Sequence, residues 1–443
     1  LRALYSLLVA LAMPFASLVV VWRSLADPAY RHGWAQRFGR GAALTGHGRN
    51  FWLHAASVGE VQSAQPLLQA LHQRWPERGI VLTCATPAGR ARAQQLLGSL
   101  AEARSGEPAS TQQAEPPARV ARYAPYDLPV CVRGALRHYR PAMLIVLETE
   151  LWPNLLAECR RAHLPVLLLS ARISARSQRR LARFGGLLGD SLRSGVAVAA
   201  QSQADAGRFV QLGVPRASVQ VAGSLKFDRT PSEALRLRGR ALRALWAPDR
   251  FCWVAGSTHQ GEELAALAAH ARLLGERGDG LLVLAPRHTP RFGEVWQLLE
   301  QSGLRIARYS DAEEVIGLGA DACQVLLLDT LGDLEACYAA ADLAFVGGSL
   351  VPAGGHSLLE PAALGVATLT GVHHETAPDA ASLLVAQGAV RLVADGAALA
   401  TQLLRLAGDA PARALMGAAG AEVVSANRGA LAQALALVSA RLV

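Results

Sequence analysis

The stretch Phe51–Glu60, FWLHAASVGE, decides the fold. Phe51–Ala56 reads as a strand, Ser57-Val58-Gly59 as a small-residue turn, and Glu60 opens a helix predicted over Val61–Trp75. A short apolar strand that runs through such a turn into a helix is the first half of a parallel βαβ unit. The carboxyl end of such a strand borders a crevice, and the helix starting there offers free backbone N–H groups. Gly59 lets backbone or ligand approach where a Cβ would obstruct. Glu60 has two readings. It complements the helix dipole, or it reaches a substrate hydroxyl as a base.

The same alternation continues outward. Further strands are predicted at Ile80–Cys84, Arg119–Tyr123, Met143–Leu147, Pro165–Leu169 and Val196–Ala200, with helical periodicity between them. The segment Ala101–Ala118 is rich in Ser, Pro, Gln and Glu and reads as an exposed loop. A second series starts at Phe251–Glu263, FCWVAGSTHQGEE, which repeats the strand, turn and acidic helix start. Its further strands are Leu281–Ala285, Gln324–Leu328, Leu343–Val346, Ala367–Leu369 and Val390–Val393. The fold class is therefore α/β, with two Rossmann-like domains expected to face a central cleft. The expected organisation is an anchor at 1–23, an interfacial connector at 24–50 and a first Rossmann-like domain at 51–213. A linker at 214–232 and a second domain at 233–410 follow. Residues 411–443 are expected as a helix packing back on the first domain.

Composition narrows the class. A chain of 443 residues exceeds the usual single core, and 51% apolar with 18% charged residues is an ordered globular balance. A net charge of +9 suits phosphate ligands or anionic lipid. No basic stripe interleaved with aromatics occurs, so nucleic acid is not expected. Six scattered cysteines without a C-x-x-C read as core residues of a reducing compartment. Leu4–Trp22 carries no charge over 19 positions, and Arg23, Arg31, Arg37, Arg40 and Arg49 follow it. That pattern predicts an apolar anchor helix with the enzyme on the cytoplasmic side of an inner membrane.

Several loops carry residues suited to chemistry. In Leu144–Asn154, LIVLETELWPN, a strand runs into Glu148 and Glu150; one acid caps the following helix, or both hold a sugar or a cationic partner. Ser170–Ser177, SARISARS, exposes Arg172 and Arg176, either for an anion or to solvent. Lys226 of Gly223–Asp228, GSLKFD, is placed to meet a phosphate or carboxylate across the cleft. Pro286 and Arg287 directly follow a strand, where a guanidinium can hold a phosphate bidentately. Leu331-Gly332-Asp333 starts a helix near a nucleotide. Gly347–Pro361, GGSLVPAGGHSLLEP, has four glycines and two prolines; its backbone is expected to wrap a phosphate, and Glu360 to accept from a ribose. Neither a D-x-D nor histidines at metal spacing occur, so no metal is expected.

HAASVGE, LETELWPN, ARISARS, GSLKFD, GSTHQGEE, PRHTPRF and GGSLVPAGGHSLLEP, in this order, resemble the 3-deoxy-D-manno-octulosonic acid (Kdo) transferases of lipopolysaccharide assembly. The resemblance covers nearly the whole chain. It implies a glycosyltransferase B-type fold and an inverting transfer of Kdo from CMP-Kdo to lipid IVA at the cytoplasmic face of the inner membrane. It implies no cofactor. By position, Glu60 matches the proton acceptor, and Glu148 and Lys226 match transition-state stabilisers. Pro286, Arg287, Leu331, Gly332, Asp333, Ser357, Leu358, Leu359 and Glu360 match CMP contacts. Two departures stand out: Ser357-Leu358 replaces a common Asn-Pro, and Asp333 replaces a frequent Glu. Ser357 keeps a hydroxyl but lacks the paired donor and acceptor of an amide. The alternative is a B-type glycosyltransferase using a UDP-sugar and another lipid acceptor.

Overall fold

The computed structural model describes residues 1–41, 44, 49–102, 117–148, 150–183, 185–311 and 323–442. The chain divides into two units, 1–228 with 428–443, and 229–427. The first is built on seven strands: β1 (Asn50–His54), β2 (Ile80–Cys84), β3 (Arg119–Tyr123), β4 (Pro141–Leu147), β5 (Val166–Ala171), β6 (Val196–Ala200) and β7 (Val219–Val221). They lie parallel in the order β3-β2-β1-β4-β5-β6-β7. Every residue of β1, β2, β5 and β6 is buried, because helices cover both faces of a parallel sheet. Phe51 and Leu53 point into one core layer and Trp52 into the other, as a two-residue repeat requires. Truncating Leu53 to Ala would cost about 2–5 kcal/mol.

The strand order reverses between β1 and β4, whose register pairs His54 with Val146. The segments leaving these two neighbours therefore start side by side; one leads into helix Val58–Ser63 with Glu60, and the other begins with Glu148. Such a reversal is where doubly wound sheets bind ligands.

The second unit repeats the plan. Its strands are β8 (Cys252–Thr258), β9 (Leu281–Pro286), β10 (Ile306–Arg308), β11 (Val325–Leu327), β12 (Leu343–Val346), β13 (Ala367–Thr370) and β14 (Val390–Leu392). They are parallel in the order β10-β11-β9-β8-β12-β13-β14, with the reversal between β8 and β12.

The observed elements depart from the sequence expectation in four places. Residues 214–232 are not a plain linker: β7 lies within them and pairs with β6, and the chain passes to the second unit at Asp228–Arg229. Three residues at a sheet edge are too few to show a strand period. The helix expected from Val61 to Trp75 is two, Val58–Ser63 and Gln65–Arg74, with Pro66 in the first turn of the second. The helix expected from Pro411 onward also splits. Ala410–Ala426 packs on helix Leu359–Leu364 in the second unit, whereas Ala430–Ser439 packs on helix Gln65–Arg74 in the first. Gly429, at φ +112°, makes the break, and the Asp228 carboxylate accepts from the N–H groups of Gly429 and Leu431 at 2.8 and 2.7 Å. Finally, the connector at 24–50 is part of the first unit: the buried Gln36 side chain accepts from Tyr123 N–H at 2.9 Å, and the Arg37 guanidinium lies 4.0 Å from the Tyr123 ring centroid. The loop expected at Ala101–Ala118 lies mostly outside the described residues. All six cysteines are free and buried.

Candidate active site

In the first unit Ser57 caps helix Val58–Ser63, its Oγ accepting from Glu60 N–H at 3.3 Å. The Glu60 carboxylate folds back, accepting from Ala56 N–H at 2.8 Å and from the Ser57 hydroxyl at 2.9 Å. Glu60 is thus a capping carboxylate, held where the chain leaves β1 at the β1/β4 reversal. Burial pushes the Glu60 carboxyl above its ordinary value. The two hydrogen bonds oppose that shift, and the charges of Glu148 and Glu150 add to it. A carboxylate raised in this way is a better proton acceptor near neutral pH. A Cβ on Gly59 would meet only Ser57 Oγ, at 3.9 Å, so the fold itself does not require glycine there.

Glu148 leaves β4 with φ +56°, a conformation disfavoured for a residue with a Cβ. Its N–H donates to Leu169 O at 2.8 Å, and its carboxylate accepts from Lys226 Nζ at 2.6 Å and pairs with Arg172 Nε at 3.3 Å. The partners arrive through Ser170, also left-handed at φ +50°. Ser170 Oγ accepts from Leu225 N–H at 2.9 Å and so docks the 3-10 turn Leu225–Phe227 that carries Lys226. Lys226 thus meets a carboxylate of its own unit, not an anion across a cleft as expected from sequence. Glu150 accepts from Trp152 Nε1 at 2.6 Å, and Trp152 stands edge-on to the buried His54. Arg176 is exposed, so of the two loop arginines only Arg172 joins this cluster.

In the second unit Glu262 is buried, and its four acceptor positions are filled by backbone. Oε2 accepts from His259 and Gly348 N–H at 2.8 and 2.7 Å; Oε1 accepts from Ser349 and Leu350 N–H, both at 2.9 Å. The Gly347–Pro361 loop is the one expected to wrap a phosphate with backbone donors. Three of them already hold a carboxylate. A Cβ on Gly347 would lie 2.8 Å from Glu262 Oε2, which explains glycine there. Glu262 was visible in sequence only as an acidic helix start.

Around this loop stand His259, His288 and His356. His259 and His356 stack with their Nε2 atoms 2.8 Å apart, and His288 meets His259 edge-on. Two imidazoles on one tetrahedral ion would place their nitrogens about 3.3 Å apart; 2.8 Å is an N–H···N hydrogen bond. Burial, with Arg287 nearby, drives the His356 pKa down to about 4, and the same two causes lower that of His288. His356 and His288 are therefore uncharged at neutral pH and stand beside the exposed Arg287, whose backbone N–H bonds Thr258 O at 3.0 Å. Each of the three histidines follows a strand end within a motif, which is the signal that marks them in sequence.

The remaining expected contacts fall on the same end of this sheet. Pro286 ends β9. Leu331 is exposed, Gly332 is left-handed, and Asp333 accepts from Arg238 Nη2 and Thr330 Oγ1, both at 2.5 Å. Ser357 and Leu358 lead into helix Leu359–Leu364, which has no side-chain cap. Glu360 accepts from Arg229 Nη1 at 3.1 Å, and Arg229 also pairs with Glu335. Burial raises the Glu360 carboxyl, and Arg229 opposes that rise. Its acceptor capacity is shared with a guanidinium, which the sequence did not reveal. Among the described residues no group of three His, Cys, Asp or Glu is arranged to hold a metal ion.

Two parallel-sheet Rossmann-like units, each with polar side chains gathered where its strand order reverses, are the architecture of the glycosyltransferase B-type fold. A solved glycosyltransferase from Rickettsia africae shares the fold, with a TM-score of 0.53 at 11% identity over 89% of this chain and 99% of that one. A family profile for 3-deoxy-D-manno-octulosonic-acid transferase (kdotransferase) matches residues 32–229. The 3-deoxy-D-manno-octulosonic acid transferase of Haemophilus influenzae is 34% identical over 99% of this chain and 98% of its own length. That of Bordetella pertussis is 36% identical over 87% and 85%. The chain belongs to the Kdo transferase family and is a glycosyltransferase. Its helix Arg2–Ala26, apolar and long enough to cross a membrane, points to membrane association.

Proposed function

We propose that the protein transfers Kdo from CMP-Kdo to lipid IVA at the cytoplasmic face of the inner membrane, with inversion at the anomeric carbon. The observation that carries this reading is Glu60, a carboxylate of raised pKa held by two hydrogen bonds at the β1/β4 reversal. Glu60 takes the proton of an acceptor sugar hydroxyl while that oxygen bonds to the anomeric carbon. The bond from that carbon to the phosphate oxygen breaks, and CMP leaves with the electron pair. One displacement needs one base and no covalent intermediate.

Glu148 and Lys226 stabilise charge in the transition state, their geometry fixed by Arg172 and by the Ser170–Leu225 bond. In the second unit Pro286 and Arg287, Leu331–Asp333 and Ser357–Glu360 are the proposed CMP contacts. Arg287 and the neighbouring imidazole N–H groups meet the phosphate, and cations already present serve the leaving group without a resident metal. Incubation with CMP-Kdo and lipid IVA in EDTA tests the whole reading. The expected result is lipid IVA heavier by Kdo, with release of CMP. Transfer from a UDP-sugar but not from CMP-Kdo would overturn it, and loss of activity in EDTA would remove the metal-free step.

A further inference from the structure

The apolar helix Arg2–Ala26 is fastened to the first unit near both of its ends. Near its start, the Tyr5 hydroxyl donates to Asp127 Oδ2 at 2.9 Å, and the Ser6 hydroxyl donates to Asn154 Oδ1 at 3.1 Å. Asp127 is itself fixed. It accepts from the N–H groups of Asn154 and Leu155, and its own carbonyl accepts from Asn154 Nδ2. Asp127 thereby caps helix Pro153–Arg161, the helix that follows Glu148 and Glu150. After the far end, Arg31 Nε donates to Ser24 O at 3.1 Å, Tyr123 O–H donates to Ala29 O at 3.5 Å, and Gln36 accepts from Tyr123 N–H.

Tyr5 and Ser24 are about 29 Å apart along a helix of 1.5 Å rise per residue, nearly the thickness of a bilayer's hydrocarbon core. The residues that fasten the chain at the two ends, Asp127 at Tyr5 and Tyr123 at Ala29 just past Ser24, are only four residues apart, which is at most about 14 Å of chain. A transverse helix would put Tyr5 and Ser24 on opposite faces of the membrane and break the bonds at one end.

The exposure pattern agrees with this. Tyr5, Val9, Met13, Ser17, Val20 and the buried Ser24, spaced three and four apart, with Ser6 beside Tyr5, form one covered or partly covered stripe along the whole helix. Leu4, Leu8, Leu11, Phe15, Leu18 and Trp22 stand exposed away from it. No acid lies in the helix; Arg2 and Arg23 stand in its first and last turns, and Arg31 follows it.

We infer that this helix lies in the plane of the membrane, both ends on the side of the catalytic units, with its exposed apolar residues sunk into an anionic lipid surface. It does not cross the bilayer. The arginines supply the charge complement for the headgroups. Through Asp127 and Asn154 the helix fixes the height of the lipid surface relative to the Glu148–Trp152 loop. The inference rests on membrane association, not on sugar transfer.

The test uses the full chain in sealed vesicles with the catalytic units facing outward. Arg2→Cys and Arg23→Cys are each exposed to a membrane-impermeant maleimide. The six native cysteines are buried, so background labelling is low. Both positions should label to the same extent without permeabilisation. Labelling of Arg2→Cys only after permeabilisation, with Arg23→Cys labelled from outside, would overturn the in-plane arrangement whether or not the enzyme transfers Kdo. Flotation with phosphatidylglycerol vesicles checks the occupant of the apolar face. The chain should rise with the lipid, and a chain that stays below as a dimer would show that a second copy covers it instead.

Discussion

Replacing Glu60 with Gln separates its chemical role from its structural one. The glutamine is nearly isosteric, so its oxygen still accepts from Ala56 N–H, and its amino group turns the bond with Ser57 around. The cap that Ser57 provides to helix Val58–Ser63 does not involve the substituted atoms. What is lost is a basic oxygen. General-base assistance contributes about 10²–10⁴-fold, or about 3–5 kcal/mol of barrier. Transfer should fall by that factor, while CMP affinity, for which the proposed contacts lie in the other unit, should stay unchanged.

Stability should move the other way. Burial raises the Glu60 pKa in the folded protein, so ionised Glu60 lowers stability above that value and has no such effect below the unfolded value near about 4.3. The neutral variant should therefore melt higher than the parent at pH 7, and this difference should shrink as pH falls into the ordinary carboxylate range. Rates from product mass, Kd for CMP from calorimetry and melting curves across pH supply the three readouts. Near-parental turnover, or a variant that melts lower at pH 7, would refute the reasoning.

Other consequences follow from the same geometry. The kcat/KM of transfer should drop on acidification at a pH above the usual carboxylate range, because Glu60 must be ionised to accept a proton; a profile flat down to pH 4.5 would contradict this. Gly59→Ala should stabilise helix Val58–Ser63 by up to about 1 kcal/mol, since its Cβ meets only Ser57 Oγ. If the acceptor sugar packs there, KM for lipid IVA should rise, and an unchanged KM would show that nothing approaches Gly59. Glu262→Gln leaves two of four backbone N–H groups without an acceptor, at a cost of about 1–3 kcal/mol each; hydrogen exchange at Gly348–Leu350 should accelerate, and unchanged protection would remove Glu262 from this role. Lys226→Met removes one charge-assisted bond of about 1.5–3 kcal/mol from Glu148 and should lower kcat/KM by about 10- to 100-fold with the fold intact. Unchanged kinetics in that variant would mean Arg172 alone suffices.

What could be read from sequence was what is local. Strand–turn–helix alternation located the strands, because a buried parallel strand must be a short apolar run bounded by turn residues. Glu60, Glu148 and Arg287 stood out because each follows a strand end, where an open sheet exposes its chemistry. Edge strands β7 and β10 escaped notice, being three residues long and half-exposed. The split of the last helix turned on Gly429 and a carboxylate 201 positions earlier.

The site followed the same division. Sequence order determined that acids and basic residues of the right kinds would stand at the carboxyl ends of two parallel sheets. Only the tertiary structure decided their partners: Lys226 with Glu148, Arg229 with Glu360, and Glu262 with the donors of a loop 86–88 residues away. A hydrogen bond depends on ångström distances between residues far apart in the chain, and no local pattern encodes those distances. The propensity to form a strand or a turn is a property of a few neighbouring residues, and that much the chain carries openly.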